Sequence, residues 1–452
     1  MHPVSQVRRT GPSAVAARPR PGGRVLPPGQ GASRCARRTT RPPPVGHAAV
    51  PEVPSTVTPV ENLDPGQPDA IADRLAAEFT DLHGRAPLGV FTAPGRVNLI
   101  GEHVDYNGGL CLPMALPHAT YAAVGRREDD TVTLRSKQSA DTFAGPLESF
   151  GPGRATGWAA YAGGVLWSLA QDGWDVGGLD VVVDSRVPVG AGLSSSAALE
   201  CAVAIAVAEA AGSTLDDDLR GRLVKACMRA EQDVAGAPTG GMDQTIALFG
   251  RAASALLLDC RDWSSRQVTW DPASAGLTLL VVDTRASHSL TDGGYEARRR
   301  DCETASGILG VALLRDVTDQ AAALESLEDE QVRRRTRHVF TEIDRVEEAV
   351  DLLGAGDFEA LGRAFTASHV SLRDDYEVSC DELDAVVEVA LEHGALGARM
   401  TGGGFGGSAI ALVPDERVDE VRAAVAATYD GRGWDAPAFL TAPPSPGARR
   451  LR

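Results

Sequence analysis

The chain has 452 residues, a formal net charge of −17 and 43% hydrophobic residues. This length suits two or three domains with a substantial core, and the acidic balance argues against a general nucleic-acid binder. No run of about 18 apolar residues occurs, which excludes a membrane-spanning helix, and the N-terminus lacks the apolar segment of a signal peptide. Seven widely separated cysteines argue against a disulfide framework. We therefore expect a cytoplasmic protein, with a monomer as the default.

The N-terminal segment differs in composition from the rest of the chain. Residues 1–50 contain nine Arg and nine Pro but no Asp or Glu, and they show no hydrophobic periodicity. Such a segment buries too little apolar surface to offset the entropy of ordering it, so residues 1–56 are predicted to be a disordered extension. A transit peptide would share the arginines, but it would be amphipathic and rich in serine. We favour an idle tail over a targeting or docking arm.

From about residue 57 onward, hydrophobic periodicity predicts folded elements. Helices are predicted at 68–82, 197–211, 220–236, 339–353 and 381–393. Strands are predicted at 87–92, 121–126, 131–136, 179–185, 254–260, 277–283 and 408–413. These elements alternate without a regular βαβ repeat, which favours α+β layers over a doubly wound sheet.

The first candidate site lies in residues 94–109, where a predicted strand gives way to a loop. Twelve positions contain Arg96, Glu102, His103, Asp105 and Asn107. Two carboxylates and an imidazole suit a polyhydroxylated ligand, because each sugar hydroxyl can donate to a carboxylate and accept from nitrogen. The alternatives are a loop held by an internal arginine–carboxylate pair, or a metal site for which no further ligand is evident.

The second candidate site is the Gly/Ser-rich segment 188–200, between a predicted strand and an alanine-rich helix. Its glycines allow backbone amides to approach an anion, and the helix N-terminus adds partial positive charge. These properties are typical of a phosphate-binding loop, although the lysine of a Walker loop is absent. The alternative is an ordinary loop that ends in a serine cap.

Two further segments carry weaker signals. Residues 402–407 contain five glycines in six positions before a predicted strand, which indicates close backbone approach. Glu231 borders the apolar face of the predicted helix 220–236, and Asp243 follows a Gly-Gly-Met turn. Alone, these two acidic residues would be read as a boundary charge and a capping aspartate.

Together the motifs identify a family. From about residue 60 to the C-terminus the chain resembles the galactokinases of the GHMP group of small-molecule kinases. Gly95–Gly109 is similar to the galactokinase signature, and Pro188–Ala198 and Thr401–Gly407 are similar to the second and third motifs of the whole group.

The resemblance implies a two-lobed α+β fold with the active site between the lobes. Residues 57–238 would form a ribosomal-protein-like β-α-β N-terminal lobe, and residues 239–452 a ferredoxin-like C-terminal lobe. The implied reaction transfers the γ-phosphoryl group of ATP to the anomeric hydroxyl of galactose, the first committed step of galactose catabolism.

Roles for single residues also follow from the resemblance. Asp243 matches the catalytic base, and Arg96 matches the arginine that stabilises the transition state and keeps the aspartate ionised. The sugar-binding positions are matched by Glu102, His103, Val104, Asp105 and Tyr295. The ATP-binding positions are matched by Gly190, Ala191, Gly192, Leu193, Ser194, Ser195 and Ser196, with Ser136 on the adenine side. Ser196 and Glu231 match the Mg²⁺ ligands.

Two alternatives remain open at this point. One is a related kinase that acts on galacturonate, arabinose or N-acetylgalactosamine, and the other is a galactose- and ATP-binding sensor without catalysis. Val104 stands where the family usually has threonine, and the asparagine usual near residues 282–290 is absent. The complete serine loop and the presence of Asp243 favour the enzyme over the sensor.

Overall fold

The computed structural model describes residues 60–237, 240–287 and 293–452. The extension predicted for residues 1–56 lies outside the described residues. The lobe boundary predicted between residues 238 and 239 also falls on residues that are not described, and it stays a prediction. None of the helices in the described part of the chain is long and apolar enough to cross a membrane.

Strands and helices alternate irregularly along the chain. The strands are β1 (Glu61–Asn62), β2 (Gly89–Asn98), β3 (Leu110–Cys111), β4 (Pro113–Arg126), β5 (Thr131–Ser136), β6 (Thr142–Pro146), β7 (Leu179–Ser185), β8 (Ser254–Asp259), β9 (Ser264–Thr269), β10 (Leu277–Ser287), β11 (Gly397–Thr401), β12 (Gly406–Pro414), β13 (Ala438–Thr441) and β14 (Arg449–Arg450). The helices are α1 (Pro68–His83), α2 (Trp158–Gln171), α3 (Ser195–Ala210), α4 (Asp217–Arg229), α5 (Met242–Phe249), α6 (Gly294–Leu309), α7 (Gln320–Ser326), α8 (Glu330–Ala355), α9 (Phe358–Asp374), α10 (Asp381–Glu392) and α11 (Val418–Arg432).

A six-stranded sheet with the order β14-β2-β4-β7-β5-β6 forms the core of the N-terminal half. Helix α1 covers one face, where Phe79 packs with Val90 and Val182, and helices α2 and α3 cover the other. Adjacent strand residues such as Val181 and Val182 belong to opposite faces because side chains alternate along a strand. The sheet is buried on both sides, which is why β7 carries three successive valines, Val181, Val182 and Val183, at its centre.

A five-stranded sheet with the order β1-β13-β10-β12-β11 organises the C-terminal half. Helices α8, α9 and α10 share one hydrophobic core with its strands β10, β11 and β12. The antiparallel pair β11–β12 encloses the glycine-rich segment 402–405 as its connecting loop. A three-stranded sheet, β3-β8-β9, joins the loop after β2 to the middle of the chain.

Two helices depart from their predicted limits in an informative way. The helix predicted at 220–236 ends as α4 at Arg229, and Ala230–Ala235 widens into a π-helical turn. The helix predicted at 339–353 is the second half of α8, because a run of arginines before it obscures the apolar period. The sequence analysis also missed helices α2, α5, α6, α7 and α9. Helix α2 is apolar on most sides and carries two glycines, which obscures its helical period.

Candidate functional site

Arg96 and Asp243 form the centre of the site. Arg96 lies near the end of β2, and Asp243 lies in the first turn of α5. Two parallel contacts join them, from Arg96 Nε to Asp243 Oδ1 at 2.8 Å and from Arg96 Nη2 to Oδ2 at 2.9 Å. Such a two-pronged pair fixes both the position and the plane of the carboxylate. The Ser194 hydroxyl also donates to Oδ2.

Burial alone would lower the pKa of Arg96, but the neighbouring carboxylates, Asp243 foremost, hold it above its ordinary value. The side chain of Arg96 is 8% exposed, and that of Asp243 is 18% exposed. Arg96 is therefore a permanent cation beside a carboxylate that solvent or a ligand can still reach.

The 190–196 loop wraps around Arg96. The Arg96 guanidinium donates to the Gly192 carbonyl at 2.6 Å, and its backbone N–H donates to the Leu193 carbonyl at 3.1 Å. At Gly95 a Cβ atom would lie 2.6 Å from the Leu193 oxygen, so only glycine allows this approach. Helix α3 begins at Ser195, and the first N–H groups of a helix have no partner within it. The loop thus presents backbone donors, the Ser195 hydroxyl and a positive helix end, whereas the Ser194 and Ser196 hydroxyls donate to Asp243 and Glu231.

The glycine-rich segment 402–407 lies between the other two motifs. The Glu102 carboxylate accepts from the Gly402 N–H at 2.8 Å and from the Thr401 hydroxyl at 3.0 Å, both on Oε1. A Cβ atom on Gly402 would approach the Gly192 carbonyl at 3.1 Å, and Gly402 has a φ of +87°. The three motifs predicted from the sequence therefore meet at one place.

His103 is a buried, neutral ring surrounded by tyrosines. Its Nε2 lies 3.2 Å from the Gly403 carbonyl and its Nδ1 lies 3.0 Å from the Tyr106 hydroxyl. Burial lowers the pKa of His103 to about 3. The Tyr295 ring, on the first turn of α6, lies 5.4 Å from the His103 ring between centroids. Both ring nitrogens of His103 are occupied within the protein, so this side chain orders the loop and its aromatic neighbours.

Asp105 is the titratable group of the loop. Burial, together with the nearby Asp243 and Glu102 carboxylates, raises its pKa to about 6, against a hydrogen bond from the Tyr106 backbone. Gly240 packs directly on Asp105, since a Cβ atom there would lie 1.9 Å from Oδ2. The segment that leads into α5 is thereby brought against the 99–109 loop.

Ser196 and Glu231, the two residues predicted to bind metal, lie side by side. The Ser196 hydroxyl donates to Glu231 Oε1 at 3.0 Å, and Gln244 Nε2 donates to Glu231 Oε2 at 2.5 Å. Gln244 also donates to Glu200 Oε2 at 3.1 Å, and burial with Glu231 nearby raises the pKa of Glu200 well above its ordinary value. Among the described residues no group of three His, Cys, Asp or Glu could hold a metal. One hydroxyl and one carboxylate fit Mg²⁺, which commonly binds one or two protein oxygens together with substrate phosphates.

Two predicted residues lie apart from the centre. The Val104 side chain is fully buried in the hydrophobic core beneath the loop. Ser136 ends β5, where its hydroxyl contacts only Gln138 among the described hydrogen bonds. Val104 therefore lies in the loop with its side chain in the core, and Ser136 makes none of the described hydrogen bonds to the 190–196 loop.

The sequence reasoning missed the groups beneath the 99–109 loop. Glu342, His338 and Arg399 are fully buried and contact its backbone. A usable signal was present in α8, where Arg335, His338 and Glu342 recur at helical spacing on the face that carries the apolar residues. Polar residues on an apolar face require partners, which single-sequence patterns do not identify.

Comparison with known proteins agrees with this geometry. Residues 77–126 match the family model described as the galactokinase galactose-binding signature. Residues 160–251 match the GHMP kinases N terminal domain, and residues 349–431 match the GHMP kinases C terminal domain. The chain is 51% identical over 393 residues to the galactokinase of Streptomyces coelicolor, covering 85% of this chain and 99% of the relative. This chain belongs to the galactokinase family.

Other galactokinases are similar over nearly their whole length. The galactokinase of Mycobacterium tuberculosis is 45% identical over 363 residues, covering 80% of this chain and 99% of the relative. The solved structure of Lactococcus lactis galactokinase complexed with galactose matches with a TM-score of 0.80 and 30% identity, covering 84% of this chain and 100% of that one.

The fold extends beyond the galactokinases. The mevalonate kinase of Methanococcus jannaschii matches with a TM-score of 0.58 and 18% identity, covering 80% of this chain and 98% of that one. At this identity the match concerns the fold alone. The expected two-lobed α+β fold of the GHMP kinases is confirmed.

Proposed function

We propose that this chain transfers the γ-phosphoryl group of ATP to the anomeric hydroxyl of galactose, yielding galactose 1-phosphate and ADP. The observation that carries the proposal is the Arg96–Asp243 pair at the point where the three motifs meet. Phosphoryl transfer depends on positioning and charge neutralisation more than on covalent chemistry. The site supplies a fixed cation, a base and a loop of backbone donors.

In the proposed mechanism Asp243 is the general base. Its carboxylate accepts the proton of the anomeric hydroxyl while that oxygen bonds to the γ-phosphorus, and the bond from phosphorus to the β–γ bridging oxygen breaks. Arg96 holds the Asp243 carboxylate in plane through two hydrogen bonds and places positive charge beside the reacting oxygen. The 190–196 loop binds the phosphates through its N–H groups and the Ser195 hydroxyl.

The 99–109 loop and Tyr295 form the proposed sugar-recognition surface. Glu102 and Asp105 accept from sugar hydroxyls, and the Tyr295 phenol, at the rim of the tyrosine cluster around His103, supplies a further polar contact. Buried partners left unpaired reject a substrate that lacks the matching hydroxyl by as much as about 10⁴-fold. We therefore expect galactose to be preferred over glucose.

Ser196 and Glu231 would hold Mg²⁺ through a hydroxyl and a carboxylate oxygen. The ion would neutralise charge on the ATP phosphates. Gln244, which follows Asp243 in the chain, donates to the Glu231 carboxylate and keeps it oriented. Because ATP is the co-substrate, we propose that the protein acts in the cytoplasm; a monomer stays the default expectation.

The experiment that tests the proposal measures ADP release by the purified protein with Mg·ATP. Galactose, glucose, galacturonate, arabinose and N-acetylgalactosamine are supplied in separate reactions. We expect galactose-dependent release, and we expect Asp243→Asn to lower the rate by roughly 10²–10⁴-fold, the usual span for loss of a general base.

Asp233→Asn is the matched control, because Asp233 is an exposed carboxylate on the neighbouring π-helical turn. It should retain the wild-type rate. Wild-type turnover by Asp243→Asn would refute the assigned base. Release with another sugar alone would overturn the assignment of the 99–109 loop to galactose, and silence with every sugar would overturn the proposed reaction.

A further inference from the structure

A carboxylate that the proposed mechanism does not use lies directly beneath the 99–109 loop. Glu342, in the middle of α8, is fully buried. Its Oε1 accepts three hydrogen bonds, from the Gly101 N–H at 2.9 Å, the Glu102 N–H at 3.3 Å and the Ser368 hydroxyl at 2.7 Å. A side chain more than two hundred residues away in the chain thus holds the backbone at the residue proposed to bind galactose.

Two arginines compensate the buried charge of Glu342. Arg345 Nε lies 2.8 Å from Glu342 Oε2, and Arg399 Nη2 lies 3.7 Å from Oε1. Burial alone would raise the pKa of Glu342, but Arg345 and Arg399 hold it at about 2. Glu342 is therefore an anion throughout the range in which enzymes of this kind work, and it accepts from N–H groups as a charged partner.

Arg399 extends the same support to the preceding residues. Its Nη1 donates to the Leu99 carbonyl at 3.0 Å and to the Asn98 carbonyl at 3.2 Å, and it lies 3.6 Å from Glu102 Oε1. Four backbone groups of residues 98–102, namely two N–H groups and two carbonyls, are thus paired with two buried, oppositely charged side chains. An unpaired buried backbone group would be costly, so these contacts determine the path of the loop.

The loop needs such support because its backbone is unusual. Gly101 has a φ of +98°, and His103, which is not glycine, has a φ of +60°. A left-handed conformation in a residue with a side chain persists only where the surroundings enforce it. The groups that Glu342 holds immediately precede His103 in the chain.

We propose that Glu342 is a positioning residue of the sugar site: it fixes the backbone of Gly101 and Glu102, and so sets the Glu102 carboxylate for galactose without touching the sugar. The inference rests on the proposed function, since it takes the 99–109 loop to bind galactose. It predicts a defect in galactose binding that leaves ATP binding intact.

The test is Glu342→Gln, which keeps the shape of the side chain but removes its charge and places an amide donor against Arg345. The N–H groups of Gly101 and Glu102 would lose their hydrogen bonds to a charged acceptor, and we expect the galactose KM to rise by roughly 10-fold or more. The ATP KM should stay within about twofold, because the 190–196 loop makes none of the described contacts with Glu342. In thermal melts without ATP, the rise in Tm caused by galactose should shrink accordingly.

Asp180→Asn is the matched control for burial of a carboxylate. Asp180 lies on β7, is 1% exposed and contacts Arg127 and Thr133, without a described contact to the 99–109 loop. It should lower Tm yet leave the galactose KM and the galactose-induced Tm rise unchanged. Equal effects of Glu342→Gln and Asp180→Asn on the two KM values would overturn the inference, and so would an unchanged galactose KM in Glu342→Gln.

Ser368→Ala provides a second, milder variant if Glu342→Gln does not fold. It removes one hydrogen bond to Oε1 and leaves both backbone contacts, so the galactose KM should rise by about twofold to fivefold with the ATP KM unchanged. An unchanged galactose KM in Ser368→Ala would then overturn the inference that Glu342 positions the loop. A wild-type protein that binds ATP but neither phosphorylates galactose nor is stabilised by it would instead overturn the proposed function, a result distinct from failure of the Glu342 variants.

Discussion

At the scale of single residues, His103 and Asp105 show how burial sets opposite protonation states within one loop. Burial opposes charge on either group, so it lowers the pKa of the imidazole to about 3 and raises that of the carboxyl to about 6. His103 is therefore neutral in the working range of pH, whereas Asp105 changes its charge within that range. Only Asp105 of the two can make sugar recognition depend on pH.

We predict that the kcat/KM for galactose falls on the acid side with an apparent pKa of about 6. Above this pH the Asp105 carboxylate accepts a sugar hydroxyl, and below it the protonated group has lost its charge. The kcat/KM reports on the free enzyme, so its pH profile should show the group directly.

The variant Asp105→Asn provides the check, because its amide does not titrate. Its kcat/KM for galactose should be lower at neutral pH and should lack the step near pH 6. The kcat/KM for ATP, measured at saturating galactose, should lack that step in the wild type as well. Persistence of the same step in Asp105→Asn would assign it to another group.

At the scale of elements, the position of the third motif depends on how closely α9 packs against β11. Gly362 on α9 faces Gly397 at the start of β11, and a Cβ atom on Gly362 would lie 2.2 Å from the Leu396 carbonyl. Strand β11 leads directly to Thr401, which contacts Glu102. Contact between two glycines thus sets the distance between a supporting helix and a strand of the site.

We predict that Gly362→Ala lowers the free energy of unfolding by about 1–3 kcal/mol, the usual range for an overpacked contact. The added methyl group would meet backbone atoms, which move less readily than side chains. Urea unfolding at fixed pH measures the change.

Gly307→Ala is the control, because Gly307 is exposed within α6 and a methyl group added there would meet no atom within 4 Å. That substitution should stabilise the protein by about 0.4–1 kcal/mol through the unfolded chain. Equal effects of the two substitutions would show that helix propensity, and not the contact with β11, determines the result.

At the scale of the whole molecule, local sequence patterns predicted the three motifs better than the buried residues that hold those motifs in place. Strand β7 has the predicted limits, because a short apolar run between polar residues is compatible with few structures other than a buried strand. The glycine- and serine-rich loops were predicted as functional, since their composition suits anion binding. Glu342 and Arg399 were missed because their partners are backbone groups distant in the chain, and no local spacing encodes such contacts.

The buried histidines also couple the stability of the whole protein to pH. His338, which donates to the Glu102 carbonyl and accepts from Ser371, has its pKa lowered to about 4 by burial. With His103 at about 3, both rings stay neutral in the folded protein at pH 5, whereas the unfolded chain protonates them below about 6.5. Their contribution to stability is present above the unfolded pKa and is lost as pH falls.

We predict that the free energy of unfolding falls by about 2–3 kcal/mol from these groups between pH 7 and pH 5. The contribution of each histidine to the free energy of unfolding falls by about 2 kcal/mol over this interval, because the unfolded chain gains a proton that the folded protein does not. Asp105 opposes the trend by about 1 kcal/mol, since its raised pKa lets the folded protein take up a proton first.

Urea unfolding of the wild type and of His338→Gln at both pH values measures the effect. The variant should lose about 2 kcal/mol of the pH dependence, because its side chain does not titrate. His393→Gln is the control, since the His393 side chain is 37% exposed beside Glu420 on the surface. If His338→Gln and the wild type lose stability equally on acidification, the pH dependence arises from groups other than His338, and the buried network beneath the 99–109 loop does not couple stability to pH through this ring.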